Sequence, residues 1–165
     1  SGRAMEETGT LAIKKPGRMR WEYRKPSPKY YVADGKTAYW YVPAEKQVTK
    51  IDLDRADQEQ SQIMFLMGKG DLVRDFEISY TKEIEKLHPD SFLIKLLPKN
   101  EENYDYLIIE VNPRDYFVER FLTFDPLGSV AEYRFNNIRK TDLPDSTFNF
   151  TIPEGVEIVD ETKLQ

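Results

Sequence analysis

The sequence predicts a mainly β protein built from antiparallel hairpins. Apolar and polar residues alternate with a period of two through most of the chain, as in strands that bury one face. Gly, Pro, Asp and Asn interrupt this alternation at short intervals and mark turns. The 165 residues contain neither an internal repeat nor a linker-like segment, so we expect a single domain over residues 1–165.

The first strands follow one another closely along the chain. The alternation predicts strands at residues 9–14, 18–23, 30–33, 36–42 and 47–53, with the first turn at Pro16-Gly17. Asp34-Gly35 predicts a two-residue hairpin, because both residue types adopt positive φ readily. That hairpin would pair Val32 with Thr37 and Tyr30 with Tyr39. One face of the hairpin would then carry Tyr30, Val32, Tyr39 and Tyr41.

The alternation stops after Asp57 and a helical segment is expected. Ser61 can cap a short helix that Gly68-Lys69-Gly70 ends. The body of this helix is apolar nearly all round and comprises Ile63, Met64, Phe65, Leu66 and Met67. Such a helix must pack against an apolar surface. A second helical turn is predicted at residues 71–75.

Strands resume after this segment. They are predicted at residues 76–81, 91–98, 104–111, 116–125, 129–139 and 148–152, separated by turns such as 112–115 and 125–128. The expected arrangement is a long antiparallel meander.

The composition argues against several classes of function. With 24 Lys and Arg against 29 Asp and Glu, the net charge is −5, which disfavours a nucleic-acid partner. Cysteine is absent and His88 is the single histidine, so we expect no metal site, no catalytic triad and no thiol nucleophile. The sequence lacks phosphate-loop and nucleophile-elbow motifs. We therefore expect no catalytic residues, no enzyme activity and no cofactor.

The aromatic content is the unusual feature, with 2 Trp, 10 Tyr and 9 Phe. One interpretation is a β-sandwich or closed barrel whose aromatic residues fill the core. The other is a curved sheet whose concave aromatic face is only partly covered by the helix at residues 63–67, leaving an apolar cavity for a lipid. Periodicity alone leaves both open.

Four segments carry a resemblance to a known family. They are residues 15–23 (KPGRMRWEY), 32–41 (VADGKTAYWY), 64–72 (MFLMGKGDL) and 148–159 (FNFTIPEGVEIV). Their order resembles that of the LolA family of periplasmic outer-membrane lipoprotein carriers, over about residues 8–160.

The resemblance implies an incomplete antiparallel β-barrel, a curved sheet with a short helical lid over a hydrophobic cavity. Lipoprotein acyl chains would occupy that cavity. Members of the family receive triacylated lipoproteins from an inner-membrane ABC lipoprotein transporter and pass them, in the periplasm, to an outer-membrane lipoprotein acceptor. An alternative on the same fold is a lipid-sensing or interaction domain of an envelope regulator.

The resemblance also implies which residues bind lipid. On the strands they are Leu11, Ile13, Met19, Trp21, Tyr23, Val32, Tyr39 and Tyr41, and on the lid they are Ile63, Met64, Phe65, Leu66 and Met67. Lys15 stands where the family usually has an arginine that bonds the closed lid. Because Lys lacks the planar guanidinium, we expect Lys15 to be a weaker lid latch. Met19 replaces a usual aromatic residue.

Two further expectations concern surfaces. Arg18 and Arg20 lie either on a solvated outer face or on a docking surface for an acidic partner. The family opens with an amphipathic helix, whereas about eight residues precede the first predicted strand here. We therefore expect that helix to be missing. An uncovered aromatic face would then favour dimerisation or strand exchange.

Overall fold

The computed structural model describes residues 3–54 and 71–163. The chain divides into two compact units: unit 1 comprises Ser1–Lys69 and Asp142–Gln165, and unit 2 comprises Gly70–Thr141. The described residues form eleven strands, one α-helix of four residues and three short 3-10 helices, which confirms the prediction of a mainly β protein. None of the helices within these described ranges is long and apolar enough to cross a membrane.

Unit 1 is built on a six-stranded sheet. Its strands, in spatial order, are β1 (Thr8–Lys14), β2 (Arg18–Lys25), β3 (Lys29–Asp34), β4 (Thr37–Val42), β5 (Gln47–Asp52) and β11 (Glu157–Asp160). The first five are antiparallel hairpin neighbours, and β11 pairs with β5 in the parallel direction. Three 3-10 helices belong to this unit: η1 (Pro43–Glu45), η2 (Asp145–Phe148) and η3 (Glu161–Lys163).

The hairpin between β3 and β4 differs from its predicted register by two positions. Tyr30 pairs with Tyr41, Val32 with Tyr39 and Ala33 with Ala38. The Asp34 carboxylate accepts hydrogen bonds from the backbone N–H groups of Lys36 and Thr37. Asp34 is therefore the last residue of β3 and stabilises the turn through its side chain, instead of being a central residue of the turn. Gly35 has φ +104° and takes the turn position that needs a glycine. Because the shift is even, every side chain stays on its predicted face.

Unit 2 contains the helix α1 (Leu72–Asp75) and a five-stranded antiparallel sheet. The strands are β6 (Phe76–Tyr80), β7 (Phe92–Pro98), β8 (Tyr106–Val111), β9 (Val118–Phe124) and β10 (Val130–Arg134), and their spatial order is β10-β9-β8-β7-β6. Asp71 caps α1 by accepting hydrogen bonds from the N–H groups of Val73 and Arg74 at 3.0 and 3.1 Å.

Three sequence predictions about elements were wrong or incomplete. Residues 148–152 were predicted as a strand, but η2 ends at Phe148 and the following residues form no strand. The strand β11 and its parallel pairing were missed. The strand predicted at residues 129–139 ends at Arg134, shortly before Asn137 adopts φ +55°. The predicted lid helix at residues 62–67 lies outside the described residues.

Candidate functional site

The ladder of unit 1 sorts its side chains onto two opposite faces. Leu11 pairs with Trp21 and Trp21 with Tyr31, which pairs with Trp40. Directly paired residues in a sheet point to the same side. One face, the Trp21 face, therefore carries Leu11, Ile13, Met19, Trp21, Tyr23, Tyr31, Ala33, Ala38 and Trp40. The other, the Tyr41 face, carries Ala12, Lys14, Arg18, Arg20, Tyr30, Val32, Tyr39, Tyr41 and Val48.

The centre of the Trp21 face is apolar and aromatic across β1 to β4, whereas on β5 the same face carries Gln47, Thr49 and Ile51. Met19, Ala33 and Ala38 are inaccessible to solvent, and Trp21 is 8% exposed. The rings of Trp21 and Tyr23 stack at 5.4 Å, and Trp40 meets Tyr23 edge-on at 6.2 Å. Offset and edge-to-face contacts of this kind favour a rigid aromatic surface. Burial also raises the pKa of Tyr31 to about 12, because its ionised form would lose solvation.

A cation lies at one end of this aromatic group. The Lys29 ammonium is 4.8 Å from the centre of the Tyr23 ring and 6.0 Å from that of Trp40, which is a cation–π geometry. Glu7 forms an ion pair with the same ammonium. The positive charge of Lys29 is therefore compensated by the carboxylate of Glu7, and the centre of the Trp21 face stays apolar.

The Tyr41 face is covered by a segment from the C-terminal part of unit 1. We call residues 142–152 the C-terminal strap. Phe150 of the strap packs against Tyr39 and Tyr41, with ring centres 5.3 and 6.0 Å apart. Phe148 is 1% exposed. The aromatic side chains of this face are thus used for internal packing.

Basic residues of the first hairpin hold the strap on this face. Lys14 donates a hydrogen bond to the Leu143 carbonyl at 2.7 Å and pairs with Asp145 at 2.9 Å. Arg20 donates to the carbonyls of Thr147 and Asn149, each at 3.3 Å, and Arg18 lies 3.8 Å from Asp145. The hydrogen bond from Lys14, together with the charges of Arg18 and Lys14, lowers the pKa of Asp145.

The structure thus divides the residues that the sequence placed in one lipid-binding set. Leu11, Ile13, Met19, Trp21 and Tyr23 lie together on the Trp21 face. Val32, Tyr39 and Tyr41 lie on the opposite face, with Tyr39 and Tyr41 packed against the strap. The sequence analysis missed Tyr31 and Trp40, although alternation along β3 and β4 places both on the face opposite Tyr30 and Tyr41.

The remaining predicted residues are placed as follows. Lys15 is exposed in the turn between β1 and β2, with its latch role untested, because the lid residues Ile63, Met64, Phe65, Leu66 and Met67 lie outside the described residues. Arg18 and Arg20 are about one-third exposed and point to the strap; a docking role for them stays a prediction.

Unit 2 contains a buried ion pair that the sequence analysis did not predict. Glu110 is fully buried and accepts hydrogen bonds from Arg120 and from the backbone N–H groups of Leu87 and His88. Arg120 also donates to the Glu85 carbonyl at 2.5 Å. The pair fastens the loop at residues 81–91 over the apolar cluster of Leu93, Ile108 and Leu122. Its partners are all internal, so its role is structural.

Unit 2 also has a groove of about 440 Å³ beside β6. Its lining alternates charged and apolar side chains and includes Glu77, Ser79, Glu83, Lys95 and Leu97. Acyl chains favour a continuous apolar lining, which this groove lacks. The Trp21 face is the better candidate for an apolar ligand.

A mainly β protein with a broad, apolar and aromatic sheet face belongs, by its chemistry, with proteins that accommodate apolar ligands. Comparison with known proteins identifies the family. Residues 1–151 match the family described as outer membrane lipoprotein carrier protein LolA. The chain belongs to this family.

Relatives with curated names agree with this assignment. An outer-membrane lipoprotein carrier protein from Dechloromonas aromatica is 31% identical over 160 residues, covering 94% of this chain and 73% of the relative. One from Psychromonas ingrahamii is 28% identical and covers 97% and 75% of the two chains. The fold resembles that of an uncharacterized conserved protein from Thermus thermophilus, with a TM-score of 0.59 at 14% identity, over 91% of this chain and 78% of that one.

Proposed function

We propose that this protein is a periplasmic carrier that binds the acyl chains of lipoproteins against the Trp21 face of unit 1. In this role it accepts triacylated lipoproteins from an inner-membrane ABC lipoprotein transporter and delivers them to an outer-membrane lipoprotein acceptor. It performs no catalysis. The observation that carries the proposal is the continuous apolar face in a chain whose relatives are named lipoprotein carriers.

The two faces of the sheet are not equivalent for this task. An acyl chain on the Tyr41 face would have to displace Phe150 from Tyr39 and Tyr41 and break the bonds that hold the strap. On the Trp21 face the acyl chain meets aromatic and aliphatic side chains, and the Lys29 ammonium beside them is already paired with Glu7.

Burial of hydrocarbon supplies the binding free energy. Each methylene removed from water contributes about 0.8 kcal/mol, so acyl chains that are only partly buried bind firmly. Release then requires an acceptor with a more favourable apolar site, which gives the transfer its direction. Because Met19 and Trp21 are nearly inaccessible here, acyl chains reach them only after the residues that shield them move.

The proposal is tested by native mass spectrometry of the protein co-expressed with a triacylated lipoprotein. We expect a complex with one lipoprotein and acyl chains in the organic extract. Leu11→Gln, which places an amide on the Trp21 face, should reduce the complex at least tenfold, since it leaves a polar group among hydrocarbon. Ala12→Gln is the matched control, because residue 12 is the next position on the same strand and points to the other face.

Two outcomes would contradict the proposal. Equal loss of cargo in both variants, with both folded by circular dichroism, would show that the Trp21 face is not the specific site. A wild-type protein that binds neither lipoprotein nor free acyl chains would remove the carrier role itself.

A further inference from the structure

The outer edge of β6 is an exposed edge of the sheet in unit 2. Among the described residues, β6 has β7 on one side and no strand on the other. Ile78 is 47% exposed and Tyr80 is 78% exposed, and the Tyr80 ring lies 6.1 Å from Phe92, which is 38% exposed. An open, apolar strand edge is a template for pairing with another strand.

The ladder shows which backbone groups point out of this edge. The Thr81 N–H donates to the Leu93 carbonyl, and the Lys99 N–H donates to the Asp75 carbonyl. Bonded and non-bonded pairs alternate in antiparallel sheets, so the odd-numbered residues of β6 bond to β7. The even-numbered residues Phe76, Ile78 and Tyr80 therefore direct their N–H and carbonyl groups outward.

Not all of these outward backbone groups are free to bond to another strand. The Phe76 N–H already donates to the Leu72 carbonyl at the end of α1. At Ile78 and Tyr80, both outward N–H groups and both outward carbonyls have no partner among residues 3–54 and 71–163. An incoming strand can form four hydrogen bonds with these two residues.

We propose that the protein self-associates through this edge, with β6 of two copies paired antiparallel about a two-fold axis at Ser79. Ile78 of each copy then exchanges both backbone hydrogen bonds with Tyr80 of the other copy, which satisfies the four outward groups of these two residues. The Ile78 and Tyr80 side chains also meet directly, an aliphatic–aromatic cross-strand pair that occurs twice. This surface is separate from the Trp21 face and goes beyond the proposed carrier function.

The alternative registers are less favourable for a second copy. Pairing centred on Glu77 sets two carboxylates opposite each other, which is destabilising. Pairing centred on Ile78 requires the Phe76 N–H that Leu72 already uses. Pairing centred on Tyr80 sets Ile78 opposite Lys82 of the second copy, which lies beyond the end of β6. In the proposed register Glu77 lies opposite Thr81 of the second copy, so like charges are not paired.

The contact is small. Four backbone hydrogen bonds and two side-chain pairs place it at the low end of specific interfaces, where complexes are weak and transient. The dimer should therefore exchange rapidly and increase with concentration.

Cysteine cross-linking tests the register directly, because the chain contains no cysteine. In the proposed dimer, Ser79 of one copy lies directly opposite Ser79 of the other as a non-hydrogen-bonded cross-strand pair, with Cα atoms about 4.5 Å apart. The two thiols of Ser79→Cys are then within the range of a disulfide. In Glu77→Cys, which is also exposed, the two thiols are four residues out of register, about 13 Å apart. We expect Ser79→Cys to form a covalent dimer at least tenfold faster under mild oxidation. Equal rates would overturn the proposal.

Sedimentation over about a hundredfold range of protein concentration provides an independent test. Ile78→Pro removes one outward N–H and no bond to β7, and Ile78→Lys keeps the N–H but opposes pairing by charge. Both should abolish the concentration-dependent dimer. Val130→Lys is the matched control on the opposite edge strand, where Val130 is 53% exposed, and should leave the dimer unchanged. A wild-type protein that stays monomeric throughout, or that needs an added peptide to occupy β6, would overturn self-association.

Discussion

Glu110 and Arg120 show how a single buried pair can organise an irregular loop. The exposed fractions of their side chains are 0% and 7%, and the pair accepts or donates hydrogen bonds to three backbone groups of the loop at residues 81–91. A buried carboxylate is tolerated only when a partner charge and hydrogen bonds replace its lost hydration.

We predict that Glu110→Gln lowers the free energy of unfolding by about 3 to 5 kcal/mol. The amide keeps the shape and still accepts from the Leu87 N–H, but it removes the buried negative charge beside Arg120, whose remaining carboxylate partner is Glu132 at 3.4 Å. Glu83→Gln is the matched control: its carboxylate pairs with Lys95 at 45% exposure, and its loss should cost about 1 kcal/mol or less. Urea unfolding measures both. Equal costs would contradict a special role for burial.

Ionisation of Tyr31, on the Trp21 face, should lower the stability of the folded protein at alkaline pH. Burial raises its pKa to about 12 from an ordinary value of 10.0. Between these two values the unfolded chain releases the phenolic proton first, so stability falls as pH rises through this window. The loss can reach about 3 kcal/mol. Tyr31→Phe should flatten this dependence in melting experiments at alkaline pH; an unchanged slope would show that Tyr31 ionises equally in both states.

Among the elements, the hairpin between β3 and β4 shows what local sequence can and cannot predict. Asp34-Gly35 located the turn, because glycine and a side-chain acceptor are needed there. The same dipeptide did not define the register, since Asp34 can be a central residue of the turn or can end the strand and stabilise the turn through its carboxylate. Hydrogen bonding of one side chain decides between these alternatives, and periodicity carries no information about it.

The C-terminal strap is an element that alternation misrepresents. Phe148 and Phe150 alternate with polar residues as in a strand, but the pattern arises from packing on the Tyr41 face rather than from a ladder. The interactions that fix the strap join Lys14 and Arg20 to residues more than 120 positions later. Such long-range contacts cannot be inferred from local patterns.

We predict that acid loosens the strap. The hydrogen bond from Lys14, with the charges of Arg18 and Lys14, lowers the pKa of Asp145 below its usual 3.8. A carboxylate with a lowered pKa stabilises the folded state above its unfolded value, and this contribution is lost as pH falls through the folded pKa. Relative to the strands of unit 2, hydrogen exchange of residues 142–152 should therefore be steady at about pH 5 and accelerate as the pH falls below about 4.

Asp145→Asn provides the control for the acid effect. The variant should show faster exchange of the strap already at the higher pH and little further change on acidification. If wild type and variant respond identically to acid, Asp145 does not hold the strap.

For the whole chain, the sequence was sufficient to predict a mainly β protein and, within the hairpin of β3 and β4, the residues that share a face. It could not show which face a later segment covers, because both faces of the first sheet are aromatic. Val32, Tyr39 and Tyr41 were therefore grouped with Trp21 although they lie on the other side of the sheet. The division of the chain into two compact units has no marker in composition either.

The positions of the two tryptophans give a direct test of the carrier function. The chain contains only Trp21 and Trp40, and both lie on the Trp21 face. Tryptophan fluorescence therefore reports on this face alone. We predict that acyl chains carrying bromine atoms near their ends quench the fluorescence of both indoles in a saturable manner, whereas a water-soluble bromide salt quenches only the partly exposed Trp40, because Trp21 is 8% exposed. Leu11→Gln should weaken the acyl-chain quenching at least tenfold and Ala12→Gln should not. Binding of the brominated chains without quenching would place the lipid elsewhere, since an acyl chain on this face must contact one of the two indoles.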